Sequence, residues 1–321
     1  MALNRGALAG LVLGGLGTLA GISVPLVMQW RAREAARPAA AVRPLEASVD
    51  TEGPYVVLAT GRASGAYAEA IGEAMRLHPG AARAPLDPND LPAAAKLLRD
   101  ADARYALVCL LPDELDVNLA WAWLATTTQL DDDPFVDVRT GFVTGSSPQA
   151  AAAFVKRIAA AARGDLAVPA RFVDSLGPNE QAARGSFVLQ PGSFMAPALA
   201  RRLRTETISH GPEGMTPERL SALEGAGLVH FGGHGYPDRI VDSLNGVWVR
   251  RVKLAPSVVF NGACSTGVTH GWFEATPRGL ARRTVAPAHS FALGVLESGA
   301  FGYLAALHPD HGIPVYHYLD F

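Results

Sequence analysis

The chain has 321 residues, 49% of them hydrophobic and 18% charged, with a formal net charge of −2. That is ample apolar material for a sizeable core, and the near-neutral balance excludes the basic face or tail with which a protein grips nucleic acid. Two cysteines, Cys109 and Cys264, exclude a disulfide framework.

No charge interrupts residues 6–30, a stretch long enough to cross a bilayer as a helix. Arg5 precedes it, and Arg31, Arg33 and Arg37 follow. Met28, Gln29 and Trp30 stand where a cleaved signal would carry small residues, so residues 1–31 read as a transmembrane anchor or signal segment, with an uncleaved anchor expected. The flanking arginines favour a cytoplasmic carboxyl-terminal side, whereas long domains translocate regardless of such charges, and both orientations stay open. Residues 32–52, rich in Ala, Pro and Arg without periodicity, form a linker.

The globular part begins at residue 53. Residues 55–60 (Tyr-Val-Val-Leu-Ala-Thr) predict a strand, Gly61 to Gly65 a turn, and the alanine-rich run to residue 77 a helix. Ser64 in that turn matches neither a nucleophile elbow nor a phosphate loop. A helix over 92–100 leads to a strand over 105–111, which makes Cys109 a core residue. Residues 118–130, with Trp121 and Trp123, read as helix or irregular packing. Asp131, Asp132 and Asp133 lack the spacing of a calcium loop and read as a solvated turn; a helix over 148–162 follows.

Residues 165–183 read as a polar connector, after which the pattern restarts with a strand over 185–190 and a helix over 194–203. This echo predicts two α/β subdomains, residues 53–175 and 176–321, with mainly parallel sheets flanked by helices. A helix over 288–298 and a strand over 300–306 close the second.

Two runs in the second subdomain carry the chemistry. Residues 227–236 (Gly-Leu-Val-His-Phe-Gly-Gly-His-Gly-Tyr) and 257–267 (Ser-Val-Val-Phe-Asn-Gly-Ala-Cys-Ser-Thr-Gly) are short β-rich segments, each ending in a small-residue loop with one reactive side chain, His234 and Cys264. Buried parallel strands read as apolar runs, and their carboxyl ends open into the crevice where ligands bind. If the two strands are neighbours, imidazole and thiol meet at one sheet edge, where the base can generate the nucleophilic thiolate. The N–H groups of Gly235 and Cys264 are the natural oxyanion donors. Gly233, Tyr236, Asn261, His308 and His311 are expected to line the substrate cleft.

An apolar strand ending in His-Gly and a second ending in Ala-Cys resemble the cysteine peptidases of the caspase, legumain and gingipain group (clan CD), and the gingipains in particular. The resemblance implies a caspase-like fold, a protein or peptide substrate, no cofactor, and Cys264 as nucleophile with His234 as acid/base. It also implies that Asp137, in Val-Asp-Val-Arg-Thr-Gly, orients His234, although the family commonly has a glutamate there and an arginine at the position of Phe142. Bacterial members are mostly exported, which favours an extracytoplasmic catalytic domain.

Three rival readings stand beside this one. A metal-dependent hydrolase would bind its ion through His308 and His311 with Asp310. His230 and His234 stand four apart, but Phe231, Gly232 and Gly233 between them are poor helix. A transpeptidase would pass the acyl group from the same thiol to an amine, and a silent binding module would keep the fold without the chemistry.

Overall fold

The computed structural model describes residues 53–133, 135–176, 203–209, 215–240 and 244–308. The expected membrane segment and linker, the strand over 185–190, the helix over 194–203, and His311 lie outside them. No helix among the described residues is long and apolar enough to cross a membrane. Residues from Gly53 onward form one compact unit.

The first sheet is built from β1 (Tyr55–Ala59), β2 (Ala82–Pro85), β3 (Tyr105–Cys109) and β4 (Arg139–Val143). All pairings are parallel, in the order β2-β1-β3-β4. Helices α1 (Gly61–Ala66), α2 (Ala68–Leu77), α3 (Leu91–Asp100), α4 (Val117–Thr127) and α5 (Pro148–Ala162) connect and flank the strands. The alternation of β3 shows why its sequence is apolar throughout: Leu107 and Cys109 pack into one buried cluster with α2 and α5, while Ala106 and Val108 pack into another with α3 and α4.

The expected turn at Gly61 to Gly65 is instead the helix α1. Thr60 follows β1 and its side chain accepts the Ala63 N–H at 3.1 Å, supplying the cap that starts a helix there. Added Cβ atoms at Gly61 and Gly65 would meet nothing, so neither glycine is there for a turn.

The second sheet comprises β5 (Arg171–Leu176), β6 (Arg204–Ser209), β7 (Leu228–Gly232), β11 (Val258–Asn261) and β14 (Gly302–Ala305). It is also fully parallel, in the order β14-β11-β7-β5-β6. Strand β5 falls inside the stretch read as a polar connector. It is an inner strand whose Phe172 and Val173 are buried, and the polar Asp174 and Ser175 that disguised it are buried as well. One face of this sheet, through Val229, Phe231 and Val259, packs on α8 (Phe291–Glu297) by way of Phe291 and Val295. Helix α6 (Pro217–Ser221) precedes β7; between β7 and β11 lie the short strands β8 (Gly235–Tyr236), β9 (Arg239–Ile240) and β10 (Leu244–Asn245), and α7 (Gly246–Val249); after β11 comes the antiparallel hairpin β12 (Gly271–Thr276) and β13 (Gly279–Thr284).

Two polar contacts tie the halves together. Arg157 on α5 donates to the carbonyls of Leu296 and Ala300 at the end of α8, where a cation also complements the helix dipole. The Thr269 hydroxyl, beyond Cys264, sits 2.8 Å from the Pro112 carbonyl and 3.2 Å from that of Leu115, in the loop after β3. The carboxyl edge of the first sheet therefore abuts the loop that follows the candidate nucleophile. Replacing Arg157 by Met keeps the stem and removes the charge-assisted bonds. It should cost about 2 kcal/mol in urea unfolding, and an unchanged midpoint would refute a structural role for the contact.

Candidate active site

Strands β7 and β11 are neighbours, in a register that pairs Phe231 with Asn261. The Gly262 N–H donates to the Phe231 carbonyl at 2.9 Å, extending the ladder one step beyond the strand. His234 and Cys264 each follow three residues after that pair, so equal lengths of chain carry both to the same sheet edge. Gly235 seals the arrangement: a Cβ added to it would lie 2.3 Å from the Cys264 carbonyl and 2.8 Å from Ala263 Cβ and Thr266 Cγ2. Only glycine lets the two loops approach this closely. Gly233 has φ +142°, and its missing Cβ makes room for Ile240. His234 is exposed and Cys264 half-buried, so both are within reach of a substrate.

The Cys264 loop is held from several sides. Asn261 Oδ1 accepts the Ala263 N–H at 2.8 Å, and Asn261 Nδ2 donates to the Tyr303 hydroxyl at 3.0 Å. That hydroxyl donates to the Thr266 carbonyl at 3.1 Å, and the Thr266 hydroxyl donates to the Ala263 carbonyl at 2.8 Å. Burial pushes the Tyr303 phenol up, which keeps it a proton donor. Backbone N–H groups of Ser265 and Gly267 donate to the carbonyls of His308 and Ala306. Within this frame Ser265, next to Cys264, adopts φ +56°, a left-handed conformation that costs a non-glycine residue about 1–2 kcal/mol.

The other expected site residues fall in different places. Tyr236 is half-exposed on β8, edge-to-face with Trp272 at 6.3 Å, and belongs to the surface beside His234. Asn261 is only 6% exposed, and its side chain is committed to the loop instead of the cleft. His308 is exposed and stacks on Trp121 at 5.6 Å, while its carbonyl holds Ser265. Cys109 is buried in the core, where desolvation pushes its thiol up to about 12.

Asp137 requires a correction. It precedes β4 at the amino edge of the first sheet, and its carboxylate accepts the Leu130 N–H at 3.1 Å while its own N–H donates to Thr127. It thus closes the end of α4, whereas the contacts with the second half run through Pro112, Leu115, Trp121 and Arg157. The structure does not bring Asp137 to His234. Partial desolvation, with Asp131 and Asp133 close by, raises the Asp137 pKa above the ordinary carboxylate value.

A pair absent from the sequence reading lies within the second sheet. Asp174 on β5 is the register partner of His230 on β7, and His230 Nδ1 donates to Asp174 Oδ1 at 2.8 Å with both side chains buried. The opposite ring nitrogen, Nε2, is buried and has no hydrogen-bond partner among the described residues. The sequence signal was a polar residue in each of two apolar runs, but their separation by 56 residues concealed the pairing.

No protein-family model and no curated protein match the chain. Solved structures do. A protease aligns with TM-score 0.58 and 13% identity over 82% of this chain and 61% of its own. The complex of the pro- and mature domains of Porphyromonas gingivalis RgpB aligns with TM-score 0.53 and 12% identity, over 80% of this chain and 64% of its own. This chain therefore spans less than two thirds of either. The likeness establishes the fold, the caspase-like α/β architecture of the gingipain type.

Two substitutions test this geometry. Gly235→Ala drives a methyl group into the Cys264 backbone and should cost about 1–3 kcal/mol as well as slow alkylation of Cys264; a variant with wild-type stability and thiol reactivity would refute the close approach. His230→Ala leaves the buried Asp174 carboxylate unpaired and should lower the unfolding free energy by about 3–5 kcal/mol, against under 1 kcal/mol for a typical exposed site; equilibrium denaturation decides.

Proposed function

We propose that the chain is a cysteine peptidase, with Cys264 as nucleophile and His234 as general acid and base. The observation that carries this reading is the matched register that delivers the two residues to one edge of a parallel sheet. The caspase-like fold shared with proteases supports it.

The reaction is acyl transfer. The Cys264 sulfur adds to the scissile carbonyl carbon, and the thiol proton passes to the imidazole. The oxyanion is held by the N–H groups of Gly235 and Cys264, on the two loops that Gly235 brings together. Collapse of this intermediate breaks the C–N bond as His234 protonates the departing amine, leaving a thioester. Water, deprotonated by His234, then attacks the thioester and releases the carboxylate product and the thiol. The rigid frame of Asn261, Tyr303 and Thr266 holds the sulfur in place at no cost at the moment of reaction. Asp137 has no part in this mechanism. The proposal also keeps residues 6–30 as a membrane anchor, on the strength of their uncharged length, with the catalytic domain extracytoplasmic.

A peptidyl acyloxymethyl ketone library, followed by mass spectrometry of the intact chain, tests the assignment. Adducts should form on Cys264, with Cys109 silent in the native protein because its thiol is buried and held protonated. Cys264→Ala should abolish turnover, His234→Ala should reduce kcat/KM by about 10²–10⁴-fold, and Asp137→Asn should leave it within a few fold. Hydrolysis retained in folded Cys264→Ala would sink the mechanism.

A further inference from the structure

Beside the proposed active site the structure contains a cleft of about 470 Å³, floored by the β8–β9 turn and walled by the β12–β13 hairpin. Tyr236 and Trp272 line it, and their rings meet edge-to-face at an interplanar angle of 81°. Four charged side chains complete the rim, two of each sign, and each is engaged: Asp238 with Arg239 at 2.9 Å, and Glu274 with Arg283 at 2.8 Å. Arg239 also covers one face of Tyr236, 4.7 Å from the ring centroid.

The position of this cleft ties it to the reaction. Tyr236 is two residues beyond His234, so their Cα atoms are at most about 7 Å apart. An extended peptide advances about 3.3 Å per residue, so the Tyr236 wall of the cleft stands about two residues of extended substrate from His234. Its chemistry then selects the occupant. A cationic side chain would need a carboxylate already taken by an arginine, and an anionic one would need an arginine already taken by a carboxylate. These exposed pairs leave the rim with no unmatched carboxylate or guanidinium to select an ionic side chain, whereas a flat uncharged ring can pack against the two aromatic side chains without disturbing the pairs.

Resting on the peptidase reading, we propose that this cleft is a specificity subsite for an uncharged aromatic residue of the substrate. The test uses matched peptides carrying Phe, Trp, Ala, Arg or Asp at each position within three residues of the cleaved bond. Turnover is measured with the full chain and with Trp272→Ala, Trp272→Phe and Leu280→Ser. Binding of the same peptides, labelled with a fluorophore, is measured by anisotropy on Cys264→Ala and on Cys264→Ala combined with Trp272→Ala. Melting curves establish that each variant is folded.

Aromatic peptides should be favoured over alanine by about tenfold or more at one position within two residues of the bond, in turnover and in binding. The ratio should fall to near one in Trp272→Ala, persist in Trp272→Phe, and be unchanged in Leu280→Ser, whose exposed side chain lies on the same hairpin outside the cleft. Hydrolysis without aromatic preference, or with a preference that Trp272→Ala leaves intact, overturns the subsite and leaves the peptidase standing. Aromatic preference in binding that depends on Trp272, with no hydrolysis of any peptide, upholds the subsite and overturns the peptidase. Absence of both overturns both.

Discussion

The backbone ladder between β7 and β11 is the constraint on which the site depends. In a parallel pair the hydrogen bonds fix which residues stand opposite each other, and a slip of one residue turns every side chain to the other face. Here the ladder runs through Phe231 and Asn261 and is extended by the Gly262 N–H. The buried alternation of Val229, Phe231 and Val259 against α8 prevents a slip, because a shifted strand would lose its packing. Apolar packing thereby sets the position of two polar side chains that take no part in the core, His234 and Cys264.

Beyond the strand ends, a second set of constraints takes over. The loop from Gly262 to Val268 has no ladder of its own, and its backbone groups are satisfied by Asn261, Tyr303, Ala306 and His308 instead. These bonds force Ser265 into a left-handed conformation, the kind of local strain that persists only where the surroundings over-determine it. Gly235 makes the complementary contribution by allowing the His234 loop to touch the Cys264 backbone. The rigid Cys264 loop, the accessible His234 and their shared edge are thus products of one packing arrangement.

The same sheet buries a hydrogen-bonded couple, Asp174 and His230, the latter four residues upstream of His234. Buried polar pairs contribute little net stability but penalise any arrangement that separates them. Because Asp174 and His230 are register partners, their bond opposes slippage between β5 and β7 just as the apolar face does between β7 and β11. The acidic residue associated with His234 by resemblance, Asp137, instead serves the end of α4 on the far edge of the first sheet.

The sequence by itself determined the α/β class, the strands that lead to His234 and Cys264, and the burial of Cys109, because period, composition and glycine placement are local properties. What it misassigned turned on partners distant in the chain. Strand β5 read as connector because Asp174 looks solvated until His230 stands beside it, and α1 read as a turn because its cap comes from Thr60, at the end of a strand. Asn261 read as a cleft residue until Tyr303 claimed its amide, and Asp137 read as an orienter until the direction of β4 put it at the wrong edge. Only the tertiary structure decided these, since hydrogen bonds and strand direction are satisfied between residues that the sequence keeps apart.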